Sequence, residues 1–415
     1  MNNCESTLVY VPKRLYITSI AEEIKIILNH RNSFNKSEDY NLLKFVYSKS
    51  LFTAEAAEWK RSRKIISFPL NQNALVSFVD IFYEKSCSLV ETLKNKDFDC
   101  HDIYHTFGFF IADVFIVANF GIEEDLNMDF VKLISEGQRI ITNRVANIFK
   151  WNDYLFSLTS EGKRTTDNKM VAMKLIDKCI KQRRNEKKYL NGEKLCLLDH
   201  LINEVEKNNL DEEYIKEEIL FVASAAMDAT AYSLAYTLCL LGIYPEIQNK
   251  VHDEVTKIVG DNKITYKTAT QLKYTEMVIN ESLRLMPTVP FIGRKTSDDL
   301  NLGNVVVPPN TNMLVNFFAL HRNPKYYPDP TRFDPERFSP EEIAKRPQYT
   351  FLPFSGGPRN CLGSKYSSLL TITAIANVIR HFQVTTKYKS FDELEFDYNI
   401  VLVTPEPLDL HFNLR

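Results

Sequence analysis

Cys361 lies in the segment Phe354-Ser-Gly-Gly-Pro-Arg-Asn-Cys-Leu-Gly363, whose residue types suit one kind of chemistry. A cysteine thiolate can hold a haem iron, and opposite dioxygen it pushes electron density that favours O–O cleavage. Gly356, Gly357 and Gly363 let the backbone approach a flat ligand closely. Pro358 stiffens the turn. Arg359 can pair with a carboxylate such as a haem propionate. From Leu362 an apolar helical pattern begins (Leu362, Tyr366, Leu369, Leu370, Thr373, Ile375). Cys361 is therefore expected at a helix N-terminus, where the dipole favours an anion and lowers a thiol pKa. A lone cysteine in a Gly-Pro turn is more often structural. The set Phe354, Gly357, Arg359, Cys361 and Gly363, packed into one short loop, argues against that here.

Three further constellations carry weight. Glu281 and Arg284 stand at i, i+3 on one helix face and can pair; Arg337, in Asp334-Pro-Glu-Arg-Phe338, offers a third partner. Trp59 and Arg63 are four apart, so an indole and a guanidinium can clamp one carboxylate together. Alone, that pair reads equally as a surface helix with a half-buried Trp. Asp228, in Ala225-Ala-Met-Asp-Ala-Thr230, falls inside an apolar helical run. A buried carboxylate there is costly without a partner or a task.

The loop, the Glu-x-x-Arg pair and the Pro-Glu-Arg-Phe segment, in this order, resemble the cytochrome P-450 superfamily of haem-thiolate monooxygenases. Leu320-His-Arg-Asn-Pro324, Tyr327 to Phe338 and Pro245-Glu-Ile-Gln-Asn-Lys-Val251 resemble its microsomal fatty-acid ω-hydroxylase branch, in particular family four of insect type. The resemblance implies that Cys361 is the iron ligand. It implies that Phe354, Gly357, Arg359, Gly363, Trp59, Arg63 and Arg294 bind haem b, and that Glu281, Arg284 and Arg337 form a structural triad. His321 is a weaker candidate and reads equally as a turn cap. Asp228 and Thr230 match the acid and alcohol that relay protons to dioxygen. The alcohol, however, normally follows the acid directly, where this chain has Ala229. Consecutive helix positions point about 100° apart, so Thr230 is not a simple replacement. Ala225 stands where some relatives attach haem through a Glu ester, so non-covalent haem is expected.

By resemblance, the chain inserts one oxygen atom from dioxygen into a small apolar substrate: a fatty acid, terpenoid or xenobiotic. Electrons come from an NADPH-cytochrome reductase, with cytochrome b5 as a second donor. Location on the cytosolic face of the endoplasmic reticulum membrane is implied likewise, although the chain starts inside the first β region and reads as lacking the usual N-terminal anchor. Two other readings are a haem-thiolate isomerase or dehydratase acting on hydroperoxides, and a non-catalytic haem-binding fragment.

The rest of the chain must position these residues. No Gly/Ser-rich or Pro-rich linker, repeat or low-complexity tract divides the 415 residues, so one domain over 1–415 is expected. A hydrophobic share of 44% is ordinary for a globular core. A net charge of −2 gives no global reason to expect nucleic acid as a partner. The seven cysteines are scattered, without a C-x-x-C pair, which disfavours a zinc site or disulfide framework and fits a reducing compartment. No run of 18 apolar residues suggests a spanning helix.

The fold class is mainly α with a small β portion, a long central helix crossing over a haem. Residues 8–17 read as strand. Ser19 to His30 reads as a helix with a capping box from Ser19 and Glu22. Helical spacing follows over 54–66, 73–93, 102–120, 130–149 and 166–189. Asp211 caps a helix running to about Tyr244, roughly 50 Å long. Two more helices follow, Pro245 to Val259 and Thr270 to Met286. Beyond Met286, prolines alternate with short strands near 304–307, 312–317, 382–386 and 408–413. Lys60, Arg61, Lys64, Lys345, Arg346 and Lys365 read as a basic patch beside the loop or as ordinary solvated surface.

Overall fold

A computed structural model describes residues 6–10, 13–48, 50–67, 70–95, 103–122, 128–186, 196–208, 210–398 and 400–415. Cys4 and Cys100, and the residues proposed above to begin one helix at 102 and end another at 187–189, lie outside them. The first strands are β1 (Ser6–Tyr10) and β2 (Arg14–Thr18), followed by α1 (Ala21–Asn29). The helical body comprises α2 (Ala56–Ser67), α3 (Gln72–Lys94), α4 (Ile103–Phe120), α5 (Met128–Ala146), α6 (Asp153–Leu158), α7 (Ser160–Glu186), α8 (Leu197–Asn208), α9 (Glu212–Ile243), α10 (Pro245–Ile258), α11 (Tyr266–Ala269) and α12 (Lys273–Leu285). Next come β3 (Phe291–Lys295), β4 (Leu300–Asn301), β5 (Val306–Val307), β6 (Asn312–Asn316), α13 (Phe317–Leu320) and α14 (Pro340–Lys345). The chain closes with α15 (Ser364–His381), β7 (Phe382–Thr385), β8 (Asp397–Tyr398), β9 (Leu402–Val403) and β10 (His411–Leu414).

The expected helices are present with ends shifted by a few residues. Asp211 caps α9, its carboxylate accepting the Glu213 N–H at 3.1 Å. Pro245 opens α10. α9 packs against α4, α7, α12 and α15, and its second half, Thr230 to Ile243, is nearly all buried. α4 and α9 are long and apolar enough to cross a membrane by composition, yet each buries most of its apolar window within the protein. Burial on all sides explains why neither shows a polar face.

Two local expectations were wrong. Residues 8–17 are not one strand: β1 and β2 form an antiparallel hairpin, Ser6 opposite Thr18 and Tyr10 opposite Arg14. Nor does Ser19 cap α1 through a capping box; the helix starts after Ile20, with no side-chain cap. Thr18 Oγ1 instead accepts the Ile20 N–H at 3.1 Å, and Tyr16 and Thr18 hydroxyls donate to Glu23 at 2.8 and 2.6 Å. The strand end thus takes over the helix start.

The four-stranded sheet has the order β1-β2-β6-β3, with β2 parallel to β6 and β3 antiparallel to it. It brings Arg294 on β3, from late in the chain, beside the segment after α1. A second apolar cluster lies under this sheet, separate from the large helical core.

Candidate active site

The Cys361 loop is a tight hydrogen-bonded turn. Cys361 N–H donates to the Phe354 carbonyl at 2.9 Å, and Asn360 N–H to the Gly357 carbonyl at 3.2 Å. Gly357 has φ +68°, and a Cβ there would sit 2.2 Å from the Leu28 carbonyl oxygen. Its glycine is therefore required by α1 behind the loop, not by a ligand in front. Gly363 is the position with open space, since a Cβ on it would meet nothing within 4 Å. Cys361 is itself accessible, although protein surrounds it. Burial pushes its thiol pKa up, opposed by the Gly363 N–H and by Arg63. The expected lowering by a helix terminus is thus outweighed: α15 begins only at Ser364, and desolvation disfavours the thiolate in protein alone.

α9 also keeps accessible positions amid buried ones. Ala223, Ser224, Met227, Thr230 and Ala231 are buried, whereas Ala225 is exposed and Ala226, Asp228 and Ala229 are half-buried. Small side chains thus leave this stretch of α9 accessible. Burial raises the Asp228 carboxyl from 3.8 to about 7, with His105 acting against it. Thr230 is buried beside these residues, 6% exposed, and its hydroxyl lies 3.3 Å from Ser367 Oγ on α15.

Trp59 and Arg63 share a face of α2 near the loop. Arg63 donates to the Asn360 side-chain oxygen at 2.6 Å and also to its carbonyl, tying α2 to the residue before Cys361. Arg359 lies with its guanidinium 4.8 Å from the centre of the Trp59 ring and donates to the Ala54 carbonyl at 2.8 Å. Its Nε and Nη1 are buried without a hydrogen-bond partner. Arg294, 2% exposed, donates to the Gly293 carbonyl at 3.0 Å, and burial lowers its pKa.

Lys36 joins these two arginines and was missed in the sequence, where nothing marks it off from other lysines. Its ammonium stands 4.4 and 4.7 Å from the Tyr40 and Phe52 ring centres. Burial, then Arg294 and Arg359, push its pKa well below the usual lysine range. Three basic groups together, Arg294 lowering the proton affinity of Arg359 and both lowering that of Lys36, with unpartnered guanidinium nitrogens on Arg359, suit a ligand bearing two carboxylates. A flat metal macrocycle with two propionates meets that requirement, with an accessible Cys361 as the metal's ligand. The residues present fit haem.

The triad forms behind the loop. Arg284 donates to both Glu281 oxygens at 2.6 and 2.8 Å, and both side chains are fully buried. Arg337 Nε stands 3.5 Å from Glu281, an ion pair without a hydrogen bond. Arg284 also donates to the carbonyls of His321, Pro330 and Arg332, fixing the irregular segment. His321 is not a turn cap alone: fully buried, its Nε2 accepts the Leu352 N–H at 2.9 Å, and burial first, then Arg284 and Arg322, lower its pKa to about 3.

The cytochrome P450 family profile matches residues 7–412. Similar proteins include cytochrome P450 4c3 of Drosophila melanogaster, 30% identical over 391 residues covering 88% of this chain and 73% of the relative. Human cytochrome P450 4V2 is 29% identical over 408 residues, covering 92% and 77%. Cytochrome P450 4g1 of Drosophila melanogaster is 27% identical over 412 residues, covering 87% and 74%. With the thiolate loop, the buried triad and a match along nearly the whole chain, the protein belongs to the cytochrome P450 superfamily of haem-thiolate monooxygenases, close to its family four.

Proposed function

We propose that this monooxygenase oxidises a small apolar substrate bound between α9 and the Cys361 loop, with electrons from an NADPH-dependent cytochrome reductase and cytochrome b5 as a second donor. The observation that carries this reading is that α9 keeps small, accessible residues, Ala225, Ala226 and Ala229, next to Thr230, which contacts Ser367 just after an accessible Cys361. Bound haem supplies the dioxygen activation and the oxygen insertion. Cys361 holds the iron; Trp59, Arg63, Arg294, Arg359 and Lys36 hold the propionate end. Phe354 and Gly363 border the ring, and Gly357 shapes the loop. Glu281, Arg284 and Arg337 keep the loop's support rigid.

Asp228 holds a proton near neutral pH beside these small residues and passes it through water, because Ala229 supplies no hydroxyl. Apolar walls suit a fatty acid, terpenoid or xenobiotic. Phe221 and Val222 on α9, with Val289 and Ile292, would exclude water from the reacting carbon.

Membrane association at the cytosolic face of the endoplasmic reticulum belongs to the same proposal. Ile148, Phe149, Tyr154, Leu155 and Leu158 are exposed together between α5 and α7, Phe149 at 85%. Lys60, Arg61, Lys64 and Lys365 are exposed and suit an acidic electron donor. Lys345 is already paired with Glu342, and Arg346 lies against the Tyr327 and Phe338 rings.

The test is reconstitution with the reductase and NADPH under isotopically labelled dioxygen, with fatty acids and terpenoids as substrates. One labelled oxygen in the product supports the proposal; unlabelled product refutes it. The lack of a hydroxyl at Ala229 favours one second reading, isomerisation of hydroperoxides. Turnover of a hydroperoxide without reductase, and none with it on unoxidised substrate, would decide for that reading.

A further inference from the structure

Two adjacent acids near the start of α9, Glu217 and Glu218, are 6% and 1% exposed. Neither touches the Cys361 loop or the triad. Glu218 Oε2 accepts the Leu51 N–H at 2.8 Å. The Tyr214 and Ser62 hydroxyls also face the carboxyl of Glu218 and hydrogen-bond one another. Ser62 belongs to α2, three residues after Trp59 and next to Arg63. Glu217 turns the other way. It accepts the Ser48 hydroxyl at 2.6 Å and the Lys169 ammonium of α7 at 3.0 Å.

We propose that Glu218 is a positioning residue for the haem clamp, holding α2 against α9 through Ser62 and Leu51 so that Trp59 and Arg63 meet the propionate end. Glu217 keeps α9 in place against α7 and Ser48 while Glu218 does so. The proposal rests on the assignment of Trp59 and Arg63 to haem.

The arrangement has a built-in dependence on protonation. Glu218 Oε1 is buried without a partner. Burial raises this carboxyl to about 7, with Glu217 adding to the shift. The facing groups are the Leu51 N–H, Tyr214, Ser62 and Glu217, with Arg61 acting on Tyr214 and Lys169 on Glu217. No cation pairs directly with Glu218 among the described residues. When Glu218 loses its proton, a carboxylate is left buried away from water, with Glu217 adding a smaller repulsion, and the Leu51, Tyr214 and Ser62 donors only partly offset this. Moving α2 and Leu51 outward hydrates the charge, which loosens the clamp.

The experiment follows haem transfer from the full-length holoprotein to apomyoglobin between about pH 6 and pH 8.5, spanning the titration. Wild type should release haem several-fold faster at the alkaline end. Glu218→Gln keeps an acceptor for Leu51 but cannot ionise, so its rate should be slow and flat with pH. Glu218→Ala should be fast throughout. Asp228→Asn should keep the wild-type slope, which separates the two buried acids. A Glu218→Gln profile as steep as wild type overturns the proposal, even if Glu218→Ala fails to fold. Arg63→Met reports on the clamp separately. If it releases haem no faster than wild type, the clamp assignment falls and the proposal with it. If Arg63→Met releases haem faster than wild type and Glu218→Gln keeps the wild-type slope, only the proposal falls.

Discussion

Replacing Arg284 with Met tests the structural triad most severely. The change removes two hydrogen bonds to Glu281 and three to the carbonyls of His321, Pro330 and Arg332. Glu281 stays fully buried, left with the Asp334 N–H at 2.9 Å and Arg337 at 3.5 Å. Breaking a buried ion pair from one side costs about 3–5 kcal/mol, because the remaining charge has lost its partner. The surviving Asp334 and Arg337 contacts place this case near about 3 kcal/mol, and the stranded carbonyls add to it. Against a total stability of about 5–15 kcal/mol, that loss is large. Urea unfolding of the holoprotein, followed by the haem absorption band and by far-ultraviolet circular dichroism, measures it. Glu281→Gln should cost a similar amount. The double substitution should cost less than the sum by about 0.5–3 kcal/mol, since the two residues act as a unit. A loss below about 1 kcal/mol for Arg284→Met, or strict additivity, would refute the reasoning.

Three other outcomes follow from the site. Asp228 has its carboxyl raised from 3.8 to about 7, so the folded state holds a proton that the unfolded state has released, and its contribution to stability is lost as pH rises through that window. Asp228→Asn should therefore flatten the fall and stabilise the protein at pH 8 by about 2–4 kcal/mol, while lowering turnover; thermal unfolding against pH measures the first. Ala229→Thr restores a hydroxyl beside Asp228 and should raise the product formed per NADPH consumed, and an unchanged ratio would show that water already serves. Gly357→Ala forces a side chain into φ +68° and against Leu28, so it should cost about 1–3 kcal/mol or more and reduce haem content after expression.

Local order was legible in the residues. The Cys361 loop, the Glu281–Arg284 pair and the cap at Asp211 are set by neighbours in the chain; the pair and the cap stand where expected, while α15 begins at Ser364, past Cys361. What the chain brings together over long distances was not legible. The antiparallel bridge between Lys295 and Asn35 sets Arg294 beside the segment of Lys36, and no spacing rule encodes it. Lys36 became visible only beside two arginines. Nothing in the sequence marks Glu218 off from the other acids of α9; only its contacts with Leu51 and Ser62 do. The partner of Thr230 was illegible for a different reason. Its hydroxyl pairs with Ser367, and a pattern of residue types does not say which neighbour a side chain prefers. The hairpin of β1 and β2 was read as one strand although Pro12-Lys13-Arg14 interrupts the apolar run where the chain reverses.

The central claim is that Cys361 holds haem iron as a thiolate. The absorption spectrum of the reduced, CO-bound protein tests it most directly. Wild type should show the long-wavelength haem band of a thiolate-ligated iron, and Cys361→Ala should lose it. Survival of that band in Cys361→Ala, or its absence from a folded wild type that retains haem, would contradict the account.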